Sequence, residues 1–156
     1  MGRCIKQDLL GYFGADTLLS INNNKLDDIK NQVKRSYPLE CCGLLIGTNT
    51  SEKKVVEVRQ VENKNTERTH DRYEIEGKEF MKVDKEAKKK GLQIIGIYHS
   101  HPDHPAVPSV FDTDHAWAGY SYMIIAIEKR EKVDIRSWIF NDEKRQFDEE
   151  EINIFL

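Results

Sequence analysis

The chain has 156 residues, enough for one domain with a single buried core, and 33% of them are charged. Its 24 lysines and arginines against 27 aspartates and glutamates leave a formal net charge of only -3, which gives no reason to expect nucleic acid as a partner. No apolar run reaches bilayer-spanning length, and no apolar segment with a cleavage site marks a leader.

Residues 1–20 mix apolar and polar side chains, with Gly11 and Gly14 breaking any helix, so they form either a loose extension or an added first strand. The domain proper is expected over residues 21–156. Met1-Gly2-Arg3-Cys4 looks superficially like a lipidation start, but Lys6 stands where the myristoylation pattern wants Ser or Thr. Of the three cysteines, Cys41 and Cys42 are neighbours whose bridge would be strained, and a reducing cytoplasm suits them best.

Asn22 or Asn23 caps a helix whose Leu26, Ile29 and Val33 recur at helical spacing, and the helix must end before Pro38. Cys42 to Gly47 reads as a buried strand and Val55 to Val61 as a half-exposed one, with Thr48-Asn49-Thr50-Ser51 turning between them. A polar loop over residues 62–71 leads to a brief strand at Tyr73-Glu74-Ile75. Phe80, Val83 and Ala87 then stripe a second helix, closed by Lys88-Lys89-Lys90 and Gly91, the lysines suiting a helix C-terminus better than an anion site.

Leu92 to Tyr98 reads as another buried strand, followed after the intervening loop by strands over Met123–Ile127 and Val133–Phe140, with a charged turn from Glu128 to Lys132. The tail from Phe147 to Leu156 adds a short apolar stretch. Strand pairs separating helices predict an α/β sandwich built on a mixed, curved sheet flanked by helices.

Chemistry concentrates after the Leu92–Tyr98 strand, in Gly96-Ile97-Tyr98-His99-Ser100-His101-Pro102. Residues two apart on an extended backbone face the same side, so His99 and His101 point together. Asp112, at the start of a short helical segment, can turn its carboxylate back toward them. Two imidazole nitrogens and one carboxylate oxygen form a donor set of the kind a catalytic zinc uses, with a fourth position left for water. A His-x-His pair alone is more often a polar rim; its company here is Pro102, Pro105 and Pro108 stiffening the loop, Ser109, and Glu40 upstream in Leu39-Glu40-Cys41-Cys42-Gly43.

An early Glu, His-x-His-Pro, a short loop and Ser-x-x-Asp together resemble the JAMM, or JAB/MPN, metallopeptidases. The resemblance is strongest to small prokaryotic members, through Glu-Cys-Cys-Gly-Leu-Leu, Arg72-Tyr73-Glu74-Ile75, His-Ser-His-Pro-Asp-His-Pro and Gly119-Tyr120-Ser121-Tyr122. It implies a JAB/MPN, cytidine-deaminase-like sandwich holding one Zn2+ on His99, His101 and Asp112. It further implies Glu40 as the proton shuttle and Ser109 as a hydroxyl donor to the tetrahedral oxyanion.

The implied substrate is the bond after the C-terminal Gly-Gly of a ubiquitin-like protein. A β-grasp sulfur carrier releasing cysteine, in cysteine biosynthesis, or a short extension is expected first; a deubiquitinase-like isopeptidase or a silent MPN scaffold is the alternative. A zinc deaminase is excluded by the missing His-x-Glu and Pro-Cys-x-x-Cys.

Other reactive side chains have plainer readings. Cys42 invites a thiol-protease reading but sits in an apolar run, and Cys41 is at most a rim residue. His115 shares a helix face with Asp112 and is a reserve ligand ranked below His101. Asp103, His104 and Asp114 are decoys, His70 is solvated, and Trp117, Trp138 and Tyr122 are core or rim aromatics.

Overall fold

The computed structural model describes residues 18–156. β1 (Leu18–Asn22) runs directly into α1 (Asn23–Ser36), where the Asn22 side-chain oxygen accepts the Asn24 N–H at 2.9 Å, occupying one of the donors a helix start leaves unpaired. α1 buries Leu26, Ile29 and Val33, the stripe its spacing predicts, and gives way at Tyr37 before Pro38.

β2 (Cys42–Asn49) and β3 (Lys53–Val61) form the expected antiparallel hairpin, the strands running further into the turn than the apolar residues alone indicate. α2 (Gly77–Lys89) buries Val83 and Ala87 and ends before Gly91, whose φ of 73° suits a residue without a Cβ. β4 (Gln93–Pro102), α3 (Val110–Asp114), β5 (Ser121–Glu128), β6 (Lys132–Asn141) and β7 (Gln146–Phe155) complete the chain.

Hydrogen-bonded neighbours run β1-β3-β2-β4-β5-β6-β7, and β7 returns to β1. The molecule is thus mixed α/β, but its sheet closes into a barrel instead of remaining an open sheet sandwiched by helices. Closure depends on β1, which pairs in parallel with both β3 and β7. Leu18, Leu19 and Ser20, grouped above with the N-terminal extension, therefore belong to a strand of the barrel; residues 1–17 lie outside the described residues. The tail is likewise no short stretch but a strand of 10 residues, in which Glu150 rather than an apolar side chain is buried.

Tyr73-Glu74-Ile75 is extended without being a strand. Asn63 and Lys64 hold it instead: Glu74 N–H donates to Asn63 Oδ1 at 3.0 Å and Lys64 N–H to the Glu74 carbonyl at 2.9 Å.

β4 lies inside the sheet, antiparallel to β2 and parallel to β5, and is buried from Ile94 to Pro102. One core cluster joins α1 to Leu19, Leu45, Ile95, Tyr98, Met123 and Ile125; the other joins α2 to Cys42, Leu44, Ile94, Ile97, Tyr122 and Phe140. Gly43 is required between them, since a Cβ there would lie 2.2 Å from the Tyr98 ring, whose hydroxyl donates to the buried Gln32. Among the described residues, no helix is long and apolar enough to cross a membrane.

Candidate metal centre

The pleat of β4 places His99 and His101 on one face while Ser100, between them, turns to the other and accepts the Cys41 N–H at 2.9 Å. The two Nε2 atoms stand 3.1 Å apart. Asp112 meets them from α3, with Oδ1 3.3 Å from His99 Nε2 and Oδ2 3.4 Å from His101 Nε2. Donors bonded to one ion at about 2.0–2.1 Å in a tetrahedron are separated by about 3.3 Å, so these atoms fit a shared cation.

Each donor is aimed by its local structure. The loop after β4 brings the Pro105 carbonyl to 2.7 Å from His101 Nδ1; a proton on Nδ1 donates there and leaves the Nε2 lone pair for a ligand. Trp138 Nε1–H donates to the Ala106 carbonyl at 3.0 Å, fixing the same loop. Tyr73 stacks on the His99 ring with centroids 4.4 Å apart, and His104 on His101 with centroids 4.0 Å apart.

Asp112 is held by a reciprocal cap. Its N–H donates to Ser109 Oγ at 3.1 Å, and Ser109 N–H donates to its Oδ2 at 2.7 Å. The helix begins at Val110, so Asp112 sits in its first turn rather than opening it. Ser109 Oγ accepts that bond and keeps its own proton available to donate elsewhere.

Glu40 precedes β2 and is 3% exposed, with Oε1 4.0 Å from His99 Nε2; no hydrogen-bond partner meets its Oε2 among the described residues. Its backbone is anchored from the polar loop, the N–H donating to the Thr69 carbonyl at 2.6 Å and the carbonyl accepting from Asn63 Nδ2 at 3.0 Å. Burial pushes its carboxyl up from 4.5 to about 8, and the nearby His101 only partly opposes this. Burial also works against ionising Asp112, but the facing imidazoles, His99 foremost, hold its carboxyl well below the usual carboxylate range.

Glu40, His99 and His101 also offer donor atoms that all lie within 4.8 Å of one another. Two overlapping trios therefore share the histidine pair. The Asp112 trio has the shorter separations, whereas Glu40 stands further back with an unpartnered oxygen, an arrangement suited to meeting a water beside the ion.

The remaining reactive groups fall elsewhere. Burial drives the Cys42 thiol far above its ordinary range, and its Sγ contacts the Val61 carbonyl at 3.8 Å, so it packs as a small hydrophobe. His115 is exposed and stacks on Phe111 with centroids 4.1 Å apart, apart from the buried cluster. His70, Asp103 and Asp114 are absent from it too.

A cavity of about 610 Å3 opens beside the donors, sharing Asp112 with them and walled by Tyr73, Ile75, Phe80, Phe111, Trp117 and Tyr122. Trp117 is 59% exposed at its rim, in keeping with its reading as a core or rim aromatic. Tyr73 was legible only as part of a family segment; its stacking on His99 depends on an extended loop that hydrophobic periodicity does not describe.

Comparison with known proteins places this geometry in context. The family described as prokaryotic homologs of the JAB domain matches residues 23–141. A desampylase from Pyrococcus furiosus is 30% identical over 114 residues, covering 73% of this chain and 76% of that protein. A solution structure of a protein from Desulfitobacterium hafniense superposes with a TM-score of 0.78 at 26% identity, covering 88% of this chain and 92% of the other. A JAB1/MPN domain protein from Archaeoglobus fulgidus shares the fold with a TM-score of 0.57 at 17% identity, covering 88% of this chain and 97% of its own.

Proposed function

The chain belongs to the prokaryotic JAB family, and from that premise we propose that it is a metal-dependent peptidase acting after the C-terminal glycines of a ubiquitin-like protein. The observation that carries the proposal is the convergence of His99 Nε2, His101 Nε2 and the Asp112 carboxylate within 3.4 Å, with buried Glu40 beside them. His99, His101 and Asp112 would hold the ion, and nitrogen and carboxylate donors in a compact trio suit Zn2+. The bound cation would supply Lewis-acid polarisation to the attacking water and the scissile carbonyl.

Glu40 accepts the water's proton as attack begins and passes it to the departing amine, a use that suits a carboxylate whose Oε2 has no other partner among the described residues. Ser109 directs its free hydroxyl proton at the developing oxyanion. The cavity walled by Tyr73, Phe111 and Trp117 receives the extended tail of the substrate.

Two relatives, from Pyrococcus furiosus and Haloferax volcanii, bear the name desampylase, which supports removal of a ubiquitin-like tag, and so an isopeptide substrate, for this chain as well. That reading moves ahead of the sulfur carrier placed first from sequence. A β-grasp sulfur carrier that loses cysteine or a short extension presents the same Gly-Gly tail and differs only in the leaving amine, so it is the second substrate to assay. The test is intact-mass measurement of zinc-loaded protein against both kinds of substrate. Cleavage after Gly-Gly that is lost in Glu40→Gln, with zinc still bound at one per chain, is expected; a Glu40→Gln variant as fast as the parent overturns the mechanism.

A further inference from the structure

α2 carries more positive charge than its fold requires. Lys78, Lys82, Lys85 and Lys89 are all exposed and, among the described residues, none is in an ion pair. Spaced four, three and four apart, they fall within an arc of about 60° on the helix, opposite buried Ala87 and turned away from buried Val83. The acidic side chains of α2 lie off this stripe, and two of them are occupied: Asp84 pairs with Lys88 at 2.8 Å and Glu86 with Arg59 at 2.9 Å.

Helix stability does not account for the pattern. Lys88 and Lys89 suit the C-terminal dipole, but Lys78 stands in the first turn, where a cation is disfavoured, and like charges three and four apart repel. The stripe also leads to the cleft. A shallow depression lined by Gly77, Lys78, Met81, Lys82 and Lys85 adjoins the large cavity and shares Gly77 and Met81 with it, Met81 being 54% exposed. A protein whose tail lies in the cavity therefore has its folded body within reach of the lysines.

We propose that this lysine stripe docks an acidic face of the ubiquitin-like substrate protein, so that charge on the body of the substrate, and not its tail alone, selects it. The inference rests on the function proposed above and adds a partner surface to it. A protein fits better than nucleic acid because the stripe is a single helix face on a chain of net charge -3, which would repel a long polyanion along the rest of its surface.

The test compares parent and Lys82→Glu/Lys85→Glu protein, zinc-loaded, on two probes: an acidic β-grasp protein carrying a Gly-Gly-Cys tail, and the free tail peptide. Charge reversal is expected to raise KM for the protein probe about tenfold with kcat unchanged, to leave the peptide unaffected, and to abolish the rise in parental KM with salt. Lys82→Gln/Lys85→Gln, which removes charge without reversing it, is expected to give an intermediate KM.

Equal KM and equal salt dependence in parent and variant would overturn the docking surface while peptide cleavage left the proposed function standing. Direct titration of the protein probe into the Glu40→Gln background reads docking even if nothing is hydrolysed. Weaker binding on charge reversal supports the proposal, whereas unchanged binding, or a single-stranded DNA oligonucleotide bound as tightly as the probe, overturns it.

Discussion

Ser109 and Asp112 cap each other: the serine N–H donates to Asp112 Oδ2 at 2.7 Å while the aspartate N–H donates to Ser109 Oγ at 3.1 Å. The Ser-x-x-Asp spacing is thus a helix-start device that also aims a carboxylate at two imidazoles. Ser109→Ala is expected to lose about 1 kcal/mol of stability from the cap and to lower kcat by about 100-fold or more from the missing hydroxyl. Ser109→Thr retains both. Urea unfolding and steady-state kinetics at matched zinc content check this; a Ser109→Ala variant with parental kcat removes the oxyanion role.

Glu40 gives the metal-free protein a pH signature. Its folded carboxyl titrates at about 8 against 4.5 for an ordinary glutamate, so the unfolded chain releases this proton first. The stability it confers is complete below about 4.5 and is lost as pH rises through about 8, a change on the order of a few kcal/mol. Denaturation from pH 5 to pH 9 is expected to show a steeper decline in the parent than in Glu40→Gln, whose amide does not titrate. Parallel curves would show that burial does not hold the proton.

Removing metal is expected to lower the melting temperature. A ligand at about 100 times its Kd stabilises by about 2.7 kcal/mol, or roughly 5–10 °C for a domain of this size. Thermal scans with and without a chelator test this, and His101→Ala is expected to make the two scans coincide.

Tyr73 and His99 stack with planes 21° apart, which braces one face of the buried imidazole. Tyr73→Phe keeps the ring and is expected to bind zinc like the parent, whereas Tyr73→Ala is expected to weaken it by about 10–100-fold. Competition with a chromophoric chelator separates them.

Gly43→Ala drives a methyl into the Tyr98 ring, which sits in a full core and has no free direction to yield. A loss of about 1–3 kcal/mol or more is expected from chemical denaturation, without change in the His99 and His101 donor set.

Much of this was legible in the chain. His99 and His101 were readable because a strand forces alternate residues to one side, and Asp112 because a short helix after a stiff loop has few ways to face. Glu40 was legible through the family pattern alone; its burial depends on the loop from Asn63 to Arg72 folding over it. Barrel closure was hidden because β7 buries a glutamate, Glu150, which accepts from Ser137 Oγ at 2.8 Å, so it lacks the apolar alternation that announces a strand. From sequence, the lysines of this helix are read only at Lys88-Lys89-Lys90, as suiting its C-terminus; which lysines have no partner among the described residues depends on Arg59 and Glu57, distant along the chain.

β7 pairs on both flanks, with β6 on one and β1 on the other. Shortening the protein before Gln146 would therefore bare two hydrogen-bonding edges at once, and such edges recruit other chains. A trimmed version, or a fusion that strains this seam, is expected to aggregate even though every residue of the candidate metal centre remains in the chain.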